Sequence, residues 1–148
     1  MRISKTLVAG LAIAIAAAAT AQGTDPIAQR QAIMKQNGKD TKALVGYVKG
    51  ETPYDAAAVT ALFAEMNAGA SKFGALFPPT SKSGGKTEAA PAIWEKPAIF
   101  QAAVTKFQAE TLAVANAKPA TLDDMKVSFG KVTENCKSCH ETFRVKAN

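Results

Sequence analysis

Cysteine and histidine are scarce in this sequence: Cys136, Cys139 and His140 are the only members of either type among 148 residues. A closed zinc site would therefore need a carboxylate as fourth ligand, which is uncommon in structural sites. A disulfide scaffold is disfavoured too, since a bridge across two intervening residues would be strained in a regular helix. No strand-like alternation of polar and apolar residues occurs, so no sheet is expected. The chain has no internal repeat, and no catalytic constellation of nucleophile and base is read from it, so no enzyme is expected. Lys and Arg outnumber Asp and Glu 18 to 12, but they are scattered, without the clustering of a nucleic-acid footprint. Past the first two dozen residues, no apolar run is long enough to cross a bilayer.

Residues 1–21 hold a shorter apolar run, with a particular layout. A basic start (Arg2, Lys5) precedes apolar residues from Thr6 to Ala19 and a small-residue site, Ala19-Thr20-Ala21. That is the pattern of a secretory signal peptide, short and Ala-rich for a permanent anchor. Cleavage is expected to leave residues 22–148, beginning at Gln22, as one domain in the periplasm with no membrane insertion. Losing Arg2 and Lys5, with no acidic residue, lowers the formal charge from +6 to about +4. So mild a charge suits encounter with an acidic protein surface.

The three scarce residues stand together as Cys136-Lys137-Ser138-Cys139-His140, and C-x-x-C-H is the pattern of covalent haem attachment. Thiols three positions apart lie on one side of a helix, where each can add to a vinyl group, and the next residue brings an imidazole towards the iron. A thioredoxin-like pair would open a helix after a strand. This pair closes a long helical pattern instead. Cys136 and Cys139 are expected to form thioethers to a single haem c, with His140 as its proximal ligand.

Four amphipathic helices are expected. Asp25-Pro26 starts the first, which runs to Lys49 with a weak point at Gly38 and an apolar face of Ile27, Met34, Leu44, Val45 and Val48. Asp55 caps the second, whose face is Val59, Leu62, Phe63, Met66, Ala70 and Phe73, and it must stop before Pro78-Pro79. Thr80 to Pro91 reads as the one substantial loop, and Trp94 as an apolar lid over the core where the chain re-enters. A third helix runs from Pro97 to Lys118-Pro119 on Phe100, Val104, Phe107, Thr111 and Val114. Thr121 with Asp124 resembles a capping box and opens the fourth, whose stripe of Met125, Phe129, Val132, Cys136, Cys139, His140 and Phe143 contains the haem motif. The expected fold is all-α, an antiparallel up-down-up-down four-helix bundle with covalently bound haem.

With C-x-x-C-H at the end of the last helix, the chain resembles the class II cytochromes c, the cytochrome c prime and cytochrome c-556 family. The likeness rests on CKSCHETFR at Cys136–Arg144, RQAIM at Arg30–Met34 and PAIWEKPAIF at Pro91–Phe100. It implies thioethers at Cys136 and Cys139 and proximal His140, with Arg144 near the haem edge, Arg30 near a propionate and Met34 on the distal side. Arg30 and Met34, four residues apart, share one helical face.

The family divides at the distal position. In the c-556 type a Met sulfur completes a six-coordinate, low-spin electron carrier, whereas in cytochrome c prime the iron is five-coordinate and takes up NO or CO. Met125 lies about 22 Å along the helix from His140 at ~1.5 Å per residue, and Met66 fits the core stripe of the second helix. Met34 is the candidate second axial ligand, or else it packs over an open iron. The KQNGK and GETPYD segments resemble the low-spin branch, and RQAIM occurs in both. The expected function is a soluble electron carrier exchanging electrons with redox partner proteins, with NO or CO binding as the alternative. Relatives also pair their first two helices into homodimers.

Overall fold

A computed structural model describes residues 25–145. The signal peptide expected over residues 1–21 lies outside the described residues.

α1 (Pro26–Val48) starts as its first residues dictate: Asp25 Oδ1 accepts from Ile27 N at 2.9 Å, and Pro26 occupies the first turn. It ends one residue short of Lys49, where Gly50 at φ 71° takes the left-handed turn. Gly38 does not interrupt it. α2 (Ala56–Phe73) is capped by Asp55, whose Oδ1 accepts from Ala57 N and Ala58 N, and it stops at Gly74, before the paired prolines.

The segment expected as one loop is more ordered than its composition suggests. It takes in most of a 3-10 turn (Pro79–Ser81) and one side of an isolated antiparallel bridge between Ala89 and Arg144, and a four-residue helix, α3 (Ala92–Glu95), follows it and carries Trp94. Turn-forming residues predicted the irregular path, but these pairings are long-range and leave no local pattern. Trp94 covers an aromatic cluster, and its Nε1 donates to Phe77 O at 2.9 Å.

α4 (Pro97–Ala117) ends at Lys118, in the left-handed region at φ 49°. α5 (Leu122–Phe143) opens with Thr121 Oγ1 accepting from Asp124 N. Asp124 returns the contact by accepting from the Thr121 hydroxyl, where a capping box would use the backbone N–H. The bundle is antiparallel, α2 packing on both α1 and α4, and α4 on α5.

Its interior divides in two. Leu44, Val59, Phe63, Met66, Val114, Met125 and Val132 form one cluster, near the end closed by Tyr54, whose hydroxyl donates to Pro119 O at 2.6 Å. Ile93, Phe100, Val104 and Phe143 form the other, joined by Phe73, Phe77 and Cys139. Met66 and Met125 are core, as their periodicity requires, while Val48 is exposed.

A buried carboxyl group contradicts the hydrophobic pattern. Asp40 on α1 is 2% exposed, with Oδ1 accepting from Gln36 at 2.8 Å and Oδ2 buried without a partner. Burial pushes its carboxyl up, the nearby Glu65 adds to this, and the Gln36 hydrogen bond and Lys39 oppose it. The folded state therefore holds this proton more tightly than the unfolded chain does. Stability from Asp40 is greatest below the unfolded value of ~4 and declines as pH rises through the window up to the raised folded value. Asp40→Asn should accordingly gain on the native protein between pH 4 and pH 8, because the amide has no charge to bury at either pH. Urea unfolding at the two pH values measures it, and a constant difference would contradict it.

Candidate haem site

α5 carries two thiols and an imidazole within about one turn of helix. Cys136 and Cys139 are half-buried, with free thiols, and His140 is exposed beside them. The Cys136 thiol donates to Val132 O at 3.6 Å, as a helical cysteine directed along its own backbone does. Burial raises both thiols above their ordinary range, and Cys136 raises Cys139 further. They stay protonated at neutral pH, opposite to the activated thiolate of a redox-exchange pair. Although the residue as a whole is exposed, partial desolvation of the ring, with help from Arg144 and against Glu88, lowers His140, which leaves its imidazole neutral with a lone pair to give.

These residues form one wall of a cavity of about 650 Å³. Phe100, Val104 and Phe107 of α4 line it, as does Phe143 of α5, and α1 contributes Arg30, Met34 and Thr41. The rim is Lys86, Thr87, Glu88 and Ala89 from the segment after α2. Met34 thus shares a cavity with the Cys136, Cys139 and His140 cluster, on a different helix. Trp94 is not among the lining residues. Among the described residues, no three His, Cys, Asp or Glu side chains converge as a metal site.

The lining fits haem. An apolar chamber within the usual volume range for a bound cofactor has two thiols and a neutral imidazole on one wall and a thioether on another. Residues 25–144 match the family model described as Cytochrome C'. The chain belongs to the cytochrome c prime family. It is 42% identical to a cytochrome c prime of Rhodopseudomonas palustris, over 99% of each chain. It is 35% identical to a cytochrome c-556 of Agrobacterium tumefaciens, over 81% of this chain and 97% of that one. A solved structure of cytochrome c prime from Rhodopseudomonas palustris superposes with a TM-score of 0.79 at 41% identity, covering 84% of this chain and 99% of that one. This cytochrome accordingly carries one covalent haem c.

Two of the expected site residues have structural partners that the sequence did not show. Arg30 is 4% exposed, and its four terminal N–H groups all have acceptors. Nη1 donates to Leu76 O and to Ser81 Oγ, and Nη2 to Ser81 O and Thr87 Oγ1, at 2.6–3.1 Å. Its guanidinium also lies 4.8 Å from the Phe77 ring centroid. A haem propionate can recruit this cytochrome's Arg30 only through Nε or by displacing a loop acceptor. Arg144 lines the cavity while its Nε pairs with Glu88 Oε2 at 2.5 Å.

Sequence reasoning missed a further neighbour. Asn135, 5% exposed and next to Cys136, donates to Glu110 Oε2 and accepts from Lys106 Nζ at 2.6 Å, joining α4 to α5 beside the haem motif. Its place on the helical stripe is visible in the sequence, but its partners lie 25 and 29 residues away and carry no local signature.

Proposed function

We propose that this cytochrome is a periplasmic one-electron carrier, exported by residues 1–21, in which Cys136 and Cys139 hold the haem, His140 is its proximal ligand and Met34 its distal one. The observation that supports it is the position of Met34. Met66 and Met125 are 2% and 0% exposed in the other core cluster, whereas Met34 lines the cavity shared with His140. His140 is the only histidine, so a protein ligand on the far side must be of another type, and a thioether suits electron transfer.

When bound, the haem supplies the ferric/ferrous couple. The chain's own residues set the conditions around it. Phe100, Phe107, Phe143 and Val104 exclude water and keep the local dielectric low. Before attachment the two thiols are neutral inside that apolar wall, and the His140 imidazole is neutral with a lone pair for coordination. Lys35 and Lys86 line the cavity as cations, and Arg144 lies beside Glu88 at its edge. That arrangement favours an acidic surface on a redox partner.

The optical spectrum with and without CO is the test. Low-spin bands that CO leaves unchanged are expected for the carrier. Five-coordinate ferrous bands that shift with CO would instead assign the gas-binding role, with Met34 packing over an open site.

A further inference from the structure

The segment between α2 and α3 joins two helices that bear expected iron ligands. At one end it is fixed to α1: Arg30 holds Leu76, Ser81 and Thr87 by four hydrogen bonds, and Gln31 Nε2 donates to Gly85 O at 3.0 Å and Lys86 O at 3.3 Å. At the other it is fixed to the end of α5. Ala90 N donates to Phe143 O at 3.0 Å, Val145 N to Glu88 O at 2.9 Å, and Arg144 pairs with Glu88. Arg30 precedes Met34 by one helical turn, and Arg144 follows His140 by one.

We propose that residues 76–90 act as a strap that holds the Met34 face of α1 at a fixed distance from the His140 turn of α5, making Arg30 and Thr87 positioning residues for the distal ligand. This rests on the reading of Met34 as that ligand. Thr87 is the joint of the strap: its Oγ1 accepts from Arg30 Nη2 at 2.6 Å and from Ala89 N at 3.2 Å, and the residue itself lines the cavity. Its hydroxyl therefore links the α1 clasp to the strand-like turn that pairs with Arg144. The guanidinium is buried and its partners are specific, so a lost acceptor is not replaced by water without cost. Loosening this joint frees α1 to move away from α5, and the thioether is the ligand that such movement releases.

The test compares native holoprotein with Thr87→Val, Thr87→Ser and Tyr54→Phe, measuring spin state by absorption and the rate at which the ferrous form takes up CO. Thr87→Val keeps the shape and removes the acceptor. It should raise the CO-reactive fraction about tenfold, the effect of losing a hydrogen bond to a charged group. Thr87→Ser, which restores the hydroxyl, should behave as native. Tyr54→Phe removes a bond at the opposite end of the bundle and controls for general loosening. It should leave the CO rate unchanged. Should Thr87→Val fail to fold, Gln31→Ala weakens the same clasp from the surface and should raise the rate several-fold. A low-spin native protein whose CO rate is untouched by these strap variants, or is raised equally by Tyr54→Phe, overturns the strap and spares the carrier reading. A native protein already high-spin and CO-reactive overturns the carrier reading, and the strap's role with it.

Discussion

The double variant Cys136→Ser/Cys139→Ser, produced in an exporting host that matures c-type cytochromes, is expected to yield polypeptide with no covalent haem. The effect is all-or-none, because oxygen in place of sulfur cannot form the thioether and the chain has no other cysteine. Geometry supports a separate part for each thiol. Both line the apolar cavity, both are kept protonated by burial, and they are three residues apart on α5. Each single variant retains one possible link and should keep covalent haem at reduced yield. Mass spectrometry of the purified protein reads all three cases directly. A double variant whose mass still includes haem would remove Cys136 and Cys139 from the attachment role. His140→Ala separates attachment from ligation, since its thioethers can still form while the iron loses its proximal nitrogen.

Much of this site is legible in the sequence because its chemistry is local. C-x-x-C-H needs a single helical turn, and the stripe from Met125 to Phe143 places that turn against the bundle interior. Capping residues are equally local, and Asp25, Asp55 and Thr121 stand at the three helix starts they mark. Arg30 shows where this legibility ends. Its spacing from Met34 places both on one face, but its acceptors are 46 to 57 residues away and three of the four are on small polar residues of a loop. Nothing in the pattern of Thr80 to Pro91 distinguishes a strap bonded at both ends from a solvated connection. Asp40 is a second case. It occupies a position that helical periodicity makes internal, and a carboxylate there argues against burial until neighbouring helices close around it.

Met34→Ala should turn a low-spin cytochrome into a high-spin one that binds CO. The expectation follows from what else could replace the sulfur. Met66 and Met125 are locked in the other core cluster, the only histidine is on α5, and Phe100, Val104 and Phe107 offer no donor atoms. With the thioether gone, the described cavity lining offers no second methionine or histidine for the distal face, and water or an added gas takes its place. The midpoint potential should fall at the same time, because a Met/His pair favours the ferrous state more than His alone. Packing alone predicts a different result. If Met34 only covers an open iron, truncation enlarges a cavity and lowers stability by up to about 2–3 kcal/mol for a half-buried methionine, while the spin state and CO affinity of the native protein are already those of a five-coordinate haem. Spectra of Met34→Ala and native protein, each reduced and titrated with CO, separate the two outcomes: a change of spin state requires a lost Fe–S bond, and matching spectra rule one out.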